Sequence, residues 1–402
     1  MIKHNMSTLN SDMPLHSSHA QRRAKRYSYA NIAFLSLTTF SALFLIMMLL
    51  VQYAFSPNAS IAQRQANHES RALQHWSKKY SSSAKAQGLT PQDLWKLYNL
   101  PGLNGGQGQL IAEVIDGGLP TLESDLDAYS QHFGLPSCTT ASGCLNIQYQ
   151  GGKKIATGYD PAEGLLDVEL MHAIAPQAHI LVYIMHPNNT LIAEGPGQIL
   201  NTPKLKAINM SYGFDGNGTA FESSYANNPN HVALFAASGD DGYDQLSPPS
   251  IYPEVIAVGG TVVNGTTESA WSGSGGGLSR YYAEPSYQVA YDIPDAYGHR
   301  GNPDVAAVAG SYVITYEEGS WATEEGTSVA APIWTGIAAL VNKPITDSLL
   351  YSLAKSQPDS FNNITTGSNG TCGYYCTARA GYNYITGLGS PKNFVANVNA
   401  LP

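Results

Sequence analysis

Residues Gly326–Pro332 read Gly-Thr-Ser-Val-Ala-Ala-Pro and lead into an apolar run that predicts a helix over Ser328–Val341. The first N–H groups of a helix have no internal partner, so the positive end of this helix can stabilise negative charge that grows beside Ser328. Pro332 is tolerated near the start of a helix for the same reason. Ser328 is therefore a candidate nucleophile, and the alternative is a Ser N-cap on a buried helix.

Upstream of this stretch, short apolar runs alternate with helical ones. Near-continuous apolar runs are typical of parallel strands that are buried on both faces of a sheet. Strands are predicted at Leu110–Ile115, Ile180–Ile184, Ala207–Met210, Val232–Ala236 and Val255–Val258, and a helix at Leu165–Ala175. This order predicts an α/β fold with a doubly wound, mostly parallel sheet flanked by helices.

The charge of the chain is uneven. The 402 residues carry a formal net charge of −9, but residues 1–30 hold five basic side chains and one acidic one, which leaves −13 for the remainder. An acidic body argues against nucleic acid as a partner. It is compatible with work at acid pH, where many of the carboxylates would be protonated.

The N-terminal part predicts a membrane anchor. Ile32–Phe55 contains no charged residue and is long enough to span a bilayer, and a basic cluster directly precedes it. We expect a cytoplasmic tail at 1–30, a transmembrane signal-anchor at 31–55, a stalk at 56–88 and a body at 89–402 outside the cytoplasm. A cleaved signal, which would give a secreted body, is the alternative.

The chain has four cysteines, Cys138, Cys144, Cys372 and Cys376. Export permits disulfides, and three pairings are possible. The simplest pairing joins Cys138 to Cys144 and Cys372 to Cys376. A zinc site is the alternative, although neither spacing is Cys-x-x-Cys and no His is close to either pair in the sequence.

Three acidic residues could carry chemistry. Glu163 and Asp167 are four apart, so on a helix they share a face, where a shared proton would split their titration. Asp240 follows a predicted strand, and ligand sites in α/β sheets lie at the carboxyl ends of strands. The alternatives are an acidic first turn that favours the helix dipole for the pair and an Asx turn for Asp240.

Taken together, these motifs resemble the sedolisin family, the serine-carboxyl peptidases, over about residues 90–402. The matching residues are Glu163 with Asp167, Ser211-Tyr212-Gly213, Ser238-Gly239-Asp240, Val258-Gly259-Gly260-Thr261, Gly275-Gly276-Gly277 with Ser279, Pro285-Ser286-Tyr287-Gln288, Pro303-Asp304-Val305, Gly326-Thr327-Ser328 with Pro332, and Thr386-Gly387-Leu388-Gly389-Ser390-Pro391. The resemblance implies a subtilisin-like fold and an endopeptidase or tripeptidyl-peptidase that acts on proteins or peptides at acid pH.

The resemblance also implies a role for each matched residue. Ser328 would be the nucleophile, Glu163 the general base, Asp167 the group that orients it, and Asp240 the acid that binds the oxyanion. A carboxylate can still accept a proton well below pH ~6.5, where a His base would already be charged. The triple glycine Gly275, Gly276 and Gly277 suits an edge that substrate backbone approaches closely. The enzyme is expected to be a monomer.

The chain departs from the family in two places. About 35 residues separate the predicted span from the body, too few for the family's usual propeptide. The family's calcium site uses two Asp side chains and backbone carbonyls, and the matching positions here are Asn363, Ile364, Arg379, Gly381 and Asn383. Because charge count sets calcium affinity, we expect weak calcium binding at most and no required cofactor. The Cys372–Cys376 disulfide would hold the loop instead.

Two other functions are compatible with this sequence. Asp116, in Val-Ile-Asp-Gly-Gly, resembles the Asp strand of classical subtilisins, but no His-Gly motif follows where their base would lie. A Ser-His-Asp protease is therefore the weaker enzyme hypothesis, and His172 is predicted to be a packed helix residue. A membrane-anchored binding or scaffold protein on an inactive peptidase fold is the non-enzymatic alternative.

Overall fold

The computed structural model describes residues 87–155, 161–214 and 218–402, except the side chain of Asn189. The tail, the membrane anchor and nearly all of the stalk predicted from the sequence lie outside these residues. None of the helices within the three described ranges is both long and apolar enough to cross a bilayer.

Helices and strands alternate along the described residues. The helices are α1 (Pro91–Tyr98), α2 (Leu122–Phe133), α3 (Pro161–Ile174), α4 (Asn189–Ile199), α5 (Ser223–Ala226), α6 (Ser286–Tyr291), α7 (Thr327–Ala338), α8 (Asp347–Ser356) and α9 (Phe394–Asn399). The strands are β1 (Leu110–Asp116), β2 (Leu145–Tyr149), β3 (His179–Met185), β4 (Leu205–Met210), β5 (Ala233–Ala237), β6 (Ile256–Asn264), β7 (Thr267–Ala270), β8 (Gly277–Ala283), β9 (His299–Asn302), β10 (Val305–Val308), β11 (Val313–Glu317), β12 (Ser320–Glu324), β13 (Phe361–Asn362) and β14 (Ser390–Pro391).

One large sheet dominates the fold. Its strands follow the order β10-β6-β5-β4-β1-β3-β2 and run parallel, and β7 pairs antiparallel with β6. The five strands predicted from the sequence are confirmed, and all five lie in this sheet. The parallel arrangement places their carboxyl ends along one edge of the sheet, where ligand sites form in such folds.

Both faces of the sheet are buried, as the near-continuous apolar runs predict. Ile111 and Ile115 of β1 pack into a core with α3 and α7, while Ala112 and Val114 pack into a second core on the opposite face. Glu113 lies between Ala112 and Val114 in the strand, so its side chain is on the opposite face from theirs, with Ile111 and Ile115. A carboxyl group is thereby placed beneath α3 and α7.

The two helices over this face begin earlier than the sequence predicts. Among the described residues, helix α3 already includes Pro161, four residues before the predicted Leu165. Helix α7 begins at Thr327 after Gly326, whose φ is 138°. Pro332 is thus the sixth residue of α7 rather than part of its first turn. Because proline has no N–H, the carbonyl of Ser328 cannot receive the usual helical hydrogen bond.

Helices α3 and α7 pack closely against each other. A Cβ atom on Gly336 of α7 would lie 2.6 Å from the Cβ atom of Ile174 in α3. Glycine therefore allows the two helix backbones to approach without an intervening side chain.

The structure pairs Cys138 with Cys144 and Cys372 with Cys376, as the sequence favours. The first disulfide precedes β2, and the second closes a turn that packs beside the C-terminal loops. All four cysteines are thereby used.

Candidate active site

A buried polar cluster lies beneath α3. The Asn209 amide, at the end of β4, donates to Glu113 Oε2 at 2.7 Å and to Ser211 Oγ at 3.0 Å. The Ser211 hydroxyl in turn donates to Asp167 Oδ1 at 2.7 Å. Glu113, Asp167 and Asn209 are all 0% exposed. A β1 residue, an α3 residue and the β4 terminus are thus joined in one network.

The two carboxyl groups of this cluster both favour their protonated forms. Burial raises the pKa of Glu113 to about 8, and the hydrogen bond from Asn209 opposes the rise. Burial and the nearby charge of Glu113 likewise raise the pKa of Asp167. The interaction between the two carboxyl groups raises the pKa of Asp167 further and lowers that of Glu113, but burial outweighs this lowering. Asp167 Oδ2 and Glu113 Oε1 are buried, and no donor among the described residues reaches them.

Glu163 lies one helical turn before Asp167 on α3. Its side chain is half-buried, and its charge contributes to the raised pKa of Glu113, so it lies within electrostatic reach of the cluster. Because α3 connects the parallel strands β2 and β3, its N-terminus lies at the carboxyl edge of the sheet. Glu163 is accordingly nearer to this edge than Asp167.

Asp240 is held against the start of α7. Its Oδ1 accepts hydrogen bonds from the Thr327 N–H at 2.7 Å and from Thr327 Oγ1 at 2.8 Å. Asp240 is solvent-exposed, yet the protein packed around its carboxyl removes hydration and raises its pKa, against the opposing hydrogen bonds from Thr327. The carboxyl group therefore lies next to the residue that precedes Ser328.

Gly326 makes this contact possible. A Cβ atom at this position would lie 2.9 Å from Asp240 Oδ2, and the positive φ is one that other residues rarely adopt. The Gly-Thr-Ser sequence thus serves two local needs: the glycine leaves room for the carboxyl group, and the threonine binds it.

Ser328 is the second residue of α7 and is half-buried, so solvent reaches it in part. Thr335 lies seven residues further, two turns along the same helix face. The Thr335 hydroxyl lies 3.5 Å from Asn209 Oδ1. The helix face that carries Ser328 therefore also contacts the polar cluster that contains Asp167.

The predicted substrate edge contains glycines that this chain's own backbone already requires. A Cβ atom would lie 2.2 Å from the Ser238 carbonyl oxygen at Gly275 and 2.1 Å from the Tyr384 carbonyl oxygen at Gly276. The Gly275 N–H also donates to the Gly239 carbonyl at 2.7 Å, which places the edge beside the loop of Asp240. A substrate-binding role for Gly275, Gly276 and Gly277 stays a prediction.

Two residues of the cluster, Glu113 and Asn209, were not predicted from the sequence. The available signal was a charged residue in the middle of the apolar strand Leu110–Ile115, since Glu is almost never fully buried unless it is paired. Ser211 was noticed only as part of a motif, without its hydrogen bond to Asp167.

A possible metal cluster lies elsewhere and does not suit zinc. His172 of α3 is buried, as predicted, and approaches Cys138 and Cys144, with candidate ligand atoms within 4.8 Å of one another. Both sulfur atoms belong to a disulfide, so neither is a thiolate. His172 Nε2 donates to the Pro136 carbonyl at 2.8 Å, and burial lowers the pKa of the imidazole to about 4.

Known proteins similar to this chain share its fold. A family model described as the subtilase family matches residues 153–352. Kumamolisin of Bacillus sp. (strain MN-32) is 29% identical over 77% of this chain, and sedolisin of Pseudomonas sp. (strain 101) is 26% identical over 77%. This chain spans 63% and 60% of the lengths of those two relatives.

Tripeptidyl-peptidase 1 of Dictyostelium discoideum is 28% identical over 57% of this chain and 46% of its own length. The solved structure of Pseudomonas sedolisin, a serine-carboxyl proteinase, superposes with a TM-score of 0.67 at 25% identity, covering 79% of this chain and 98% of that one. The described body therefore has a subtilisin-like α/β fold. The relatives are named peptidases, which supports a serine-type peptidase.

Proposed function

We propose that this protein is a serine-carboxyl peptidase that hydrolyses peptide bonds in proteins or peptides at acid pH. The observation that carries the proposal is the buried network of Glu113, Asn209, Ser211 and Asp167 on the sheet face that the Ser328 helix covers, one helical turn from Glu163. The named relatives support the same class of reaction.

In this mechanism the Ser328 hydroxyl oxygen attacks the peptide carbonyl carbon, and Glu163 takes the hydroxyl proton as general base. The carbonyl oxygen becomes an oxyanion that accepts a hydrogen bond from protonated Asp240. Glu163 then gives its proton to the leaving amine, and an acyl-enzyme forms. Water repeats the sequence, releasing the acid and restoring the Ser328 hydroxyl.

Acid pH follows from the roles of the carboxyl groups. Asp240 must be neutral to donate a hydrogen bond, and the rise in its pKa extends the pH range in which it is protonated. Asp167 orients Glu163, and burial raises the pKa values of Asp167 and Glu113, which favours their neutral forms at acid pH. We expect activity to fall as these protons are lost with rising pH.

Cleavage of a denatured protein by the purified full-length chain at pH 3–5 tests the proposal. Ser328→Ala should abolish turnover, and Asp240→Asn should lower kcat about 10²- to 10³-fold, as expected for loss of one oxyanion donor. Ser124→Ala, an exposed serine on α2, is the matched control and should retain full activity. Full activity in Ser328→Ala would contradict the proposal. A folded but inactive wild type would favour the scaffold function.

We further propose that residues 31–55 anchor the protein, with residues 1–30 in the cytoplasm and the peptidase body outside. The support is the uncharged run Ile32–Phe55 behind a basic cluster. Protease added outside intact cells should digest the body and spare an N-terminal tag. Protection of the body would reverse the orientation, and release of the body into the medium would indicate a cleaved signal.

A further inference from the structure

The C-terminal loops contain the positions where the sedolisin resemblance implies a calcium ion. Such an ion would be held by two carboxylates and by backbone carbonyl oxygens, because calcium takes oxygen ligands and its affinity depends on their charge. Here the carboxylate positions are Asn363 and Asn383. Asn363 is exposed, whereas Asn383 is only 2% exposed and lies between the loops. The contacts of Asn383 decide whether a cation fits.

The amide nitrogen of Asn383 lies among three oxygen atoms. Nδ2 is 3.2 Å from the Ile364 carbonyl oxygen, 3.4 Å from the Arg379 carbonyl oxygen and 2.9 Å from Thr386 Oγ1. Ile364 and Arg379 are the positions whose carbonyls would face a calcium ion. The two hydrogens of this amide are shared among the three oxygen atoms, so both carbonyls already face an N–H donor of the protein itself.

The orientation of this amide is fixed by its surroundings. Asn383 Oδ1 accepts from the backbone N–H groups of Ile385 and Thr386, both at 3.1 Å. Rotating the amide by 180° would turn Nδ2 toward these two N–H groups and Oδ1 toward the two carbonyls, so all four of these contacts would become repulsive. The Asn383 N–H groups must therefore point at the Ile364 and Arg379 carbonyls, where a cation would otherwise lie.

The neighbouring Arg379 side chain contacts Tyr374. The Arg379 guanidinium lies over the Tyr374 ring, 3.7 Å from its centroid, and donates to the Tyr374 carbonyl at 3.0 Å. This contact fixes the Arg379 backbone beside the Cys372–Cys376 turn and leaves a positive charge near the loop. Calcium would therefore meet occupied carbonyls, two neutral amides and a nearby cation.

We propose that the Asn383 side-chain amide replaces calcium as the group that ties the C-terminal loops together, so that this protein is stabilised without a metal at this position. The residues do not fit the ion that the resemblance implies. The inference concerns stability and is independent of the proposed peptidase activity, since its readouts are melting and calcium binding.

The substitution Asn383→Asp keeps the size of the side chain but replaces its NH2 donor by a carboxylate oxygen, which only accepts hydrogen bonds. It places a carboxylate oxygen opposite the Ile364 and Arg379 carbonyls, where repulsion opposes folding unless a cation intervenes. We expect the full-length variant to melt roughly 5 °C or more below the wild type in EDTA, as for a buried polar group that loses its partners. Millimolar Ca²⁺ should restore part of that loss, and more in Asn363→Asp/Asn383→Asp.

Wild-type protein should show the same melting temperature in EDTA and in millimolar Ca²⁺, and no heat of Ca²⁺ binding by titration calorimetry. Asn369→Asp is the matched control: Asn369 is also buried, and its amide donates to the Ser274 carbonyl at 2.8 Å. This control should melt lower, and Ca²⁺ should not restore it. A wild type that EDTA destabilises, an Asn383→Asp protein as stable as the wild type in EDTA, or one that Ca²⁺ leaves unrestored would each overturn the proposal.

Discussion

Two clusters of charged groups are equally buried in this protein but are built differently. In the first, Glu113 and Asp167 are bonded by the neutral groups Asn209 and Ser211. In the second, the Arg300 guanidinium binds Asp304 at 2.8 Å, and both side chains are 0% exposed. Burial opposes the charge of Arg300, but Asp304 outweighs that effect and raises the pKa of the guanidinium.

The two clusters differ in whether they can exchange a proton. A carboxylate with a fixed guanidinium partner holds its charge permanently, and the pair organises the strands and loops around it. Two carboxyl groups bonded by neutral partners must retain a proton, and a retained proton can move. Burial alone therefore does not decide whether an acidic cluster can exchange a proton, whereas the charge of its partners does.

The largest effect should come from the proton acceptor beside the first cluster. Glu163→Gln keeps the size of the side chain and removes its ability to take the Ser328 proton. We expect turnover to fall by about four orders of magnitude or more, because residues that act as a unit fail together. Glu194→Gln on α4, on the opposite face of the sheet, should keep wild-type turnover in the same peptide-cleavage assay. Near-normal activity in Glu163→Gln would show that Glu163 is not the general base and that the acidic cluster beside it has no role in turnover.

Removing the cation from the second cluster should mainly affect stability. Arg300→Met leaves Asp304 buried without its partner, and we expect the free energy of unfolding to drop by about 3 to 5 kcal/mol. Arg280→Met removes the guanidinium of the exposed Arg280–Asp244 pair and should cost about 1 kcal/mol or less. Denaturant unfolding measures both. Equal losses in the two variants would show that burial of the pair is unimportant.

His172 provides a pH test on the helix that carries the acidic pair. Its pKa is lowered to about 4 in the fold, so the unfolded chain gains the imidazole proton first as pH falls. Stability is therefore lost between about pH 6.5 and 4, by about 3 kcal/mol in full. His172→Gln can still donate to the Pro136 carbonyl and should remove that part of the pH dependence. The exposed His132→Gln is the control, and an unchanged profile in His172→Gln would contradict the assignment.

The smallest effect concerns the proton of Glu113. The pKa of this carboxyl is raised to about 8, so its contribution to stability is complete below about pH 4.5 and is lost as pH rises toward 8. Glu113→Gln is neutral throughout and should be more stable than the wild type at pH 8 by about 1 to 3 kcal/mol, with less difference at pH 4. Unfolding at the two pH values measures this. A variant destabilised equally at both would show that Glu113 holds no extra proton.

The sheet could be predicted because its strands are buried on both faces. Such burial produces the near-continuous apolar runs of β1, β3, β4, β5 and β6, which the sequence displays directly. Strand β2, at the edge, alternates buried and exposed residues and lacks that signal. Strand β10 has only four residues, too few for a periodic pattern.

The candidate site was predicted only in part. Glu163, Asp167, Asp240 and Ser328 were found through motifs that keep a fixed order along the chain. Glu113 could not be assigned, because its contact with Asp167 joins β1 to α3 across the sheet face and depends on strand order. The direction in which the Asn383 amide points was equally hidden, since it is set by residues on either side of the loop.

The absence of a side chain at Gly336 also has a mechanical consequence. At Gly336, helix α7 approaches Ile174 of α3 closely. Ser328 lies eight residues away, about 12 Å along the helix at 1.5 Å per residue. A methyl group at position 336 would push α7 away from α3. If the helices tilted about this contact, a small separation there would become a larger displacement at Ser328. The spacing between the hydroxyl of one helix and the carboxyl groups of the other is therefore governed from a position that neither substrate nor solvent needs to touch.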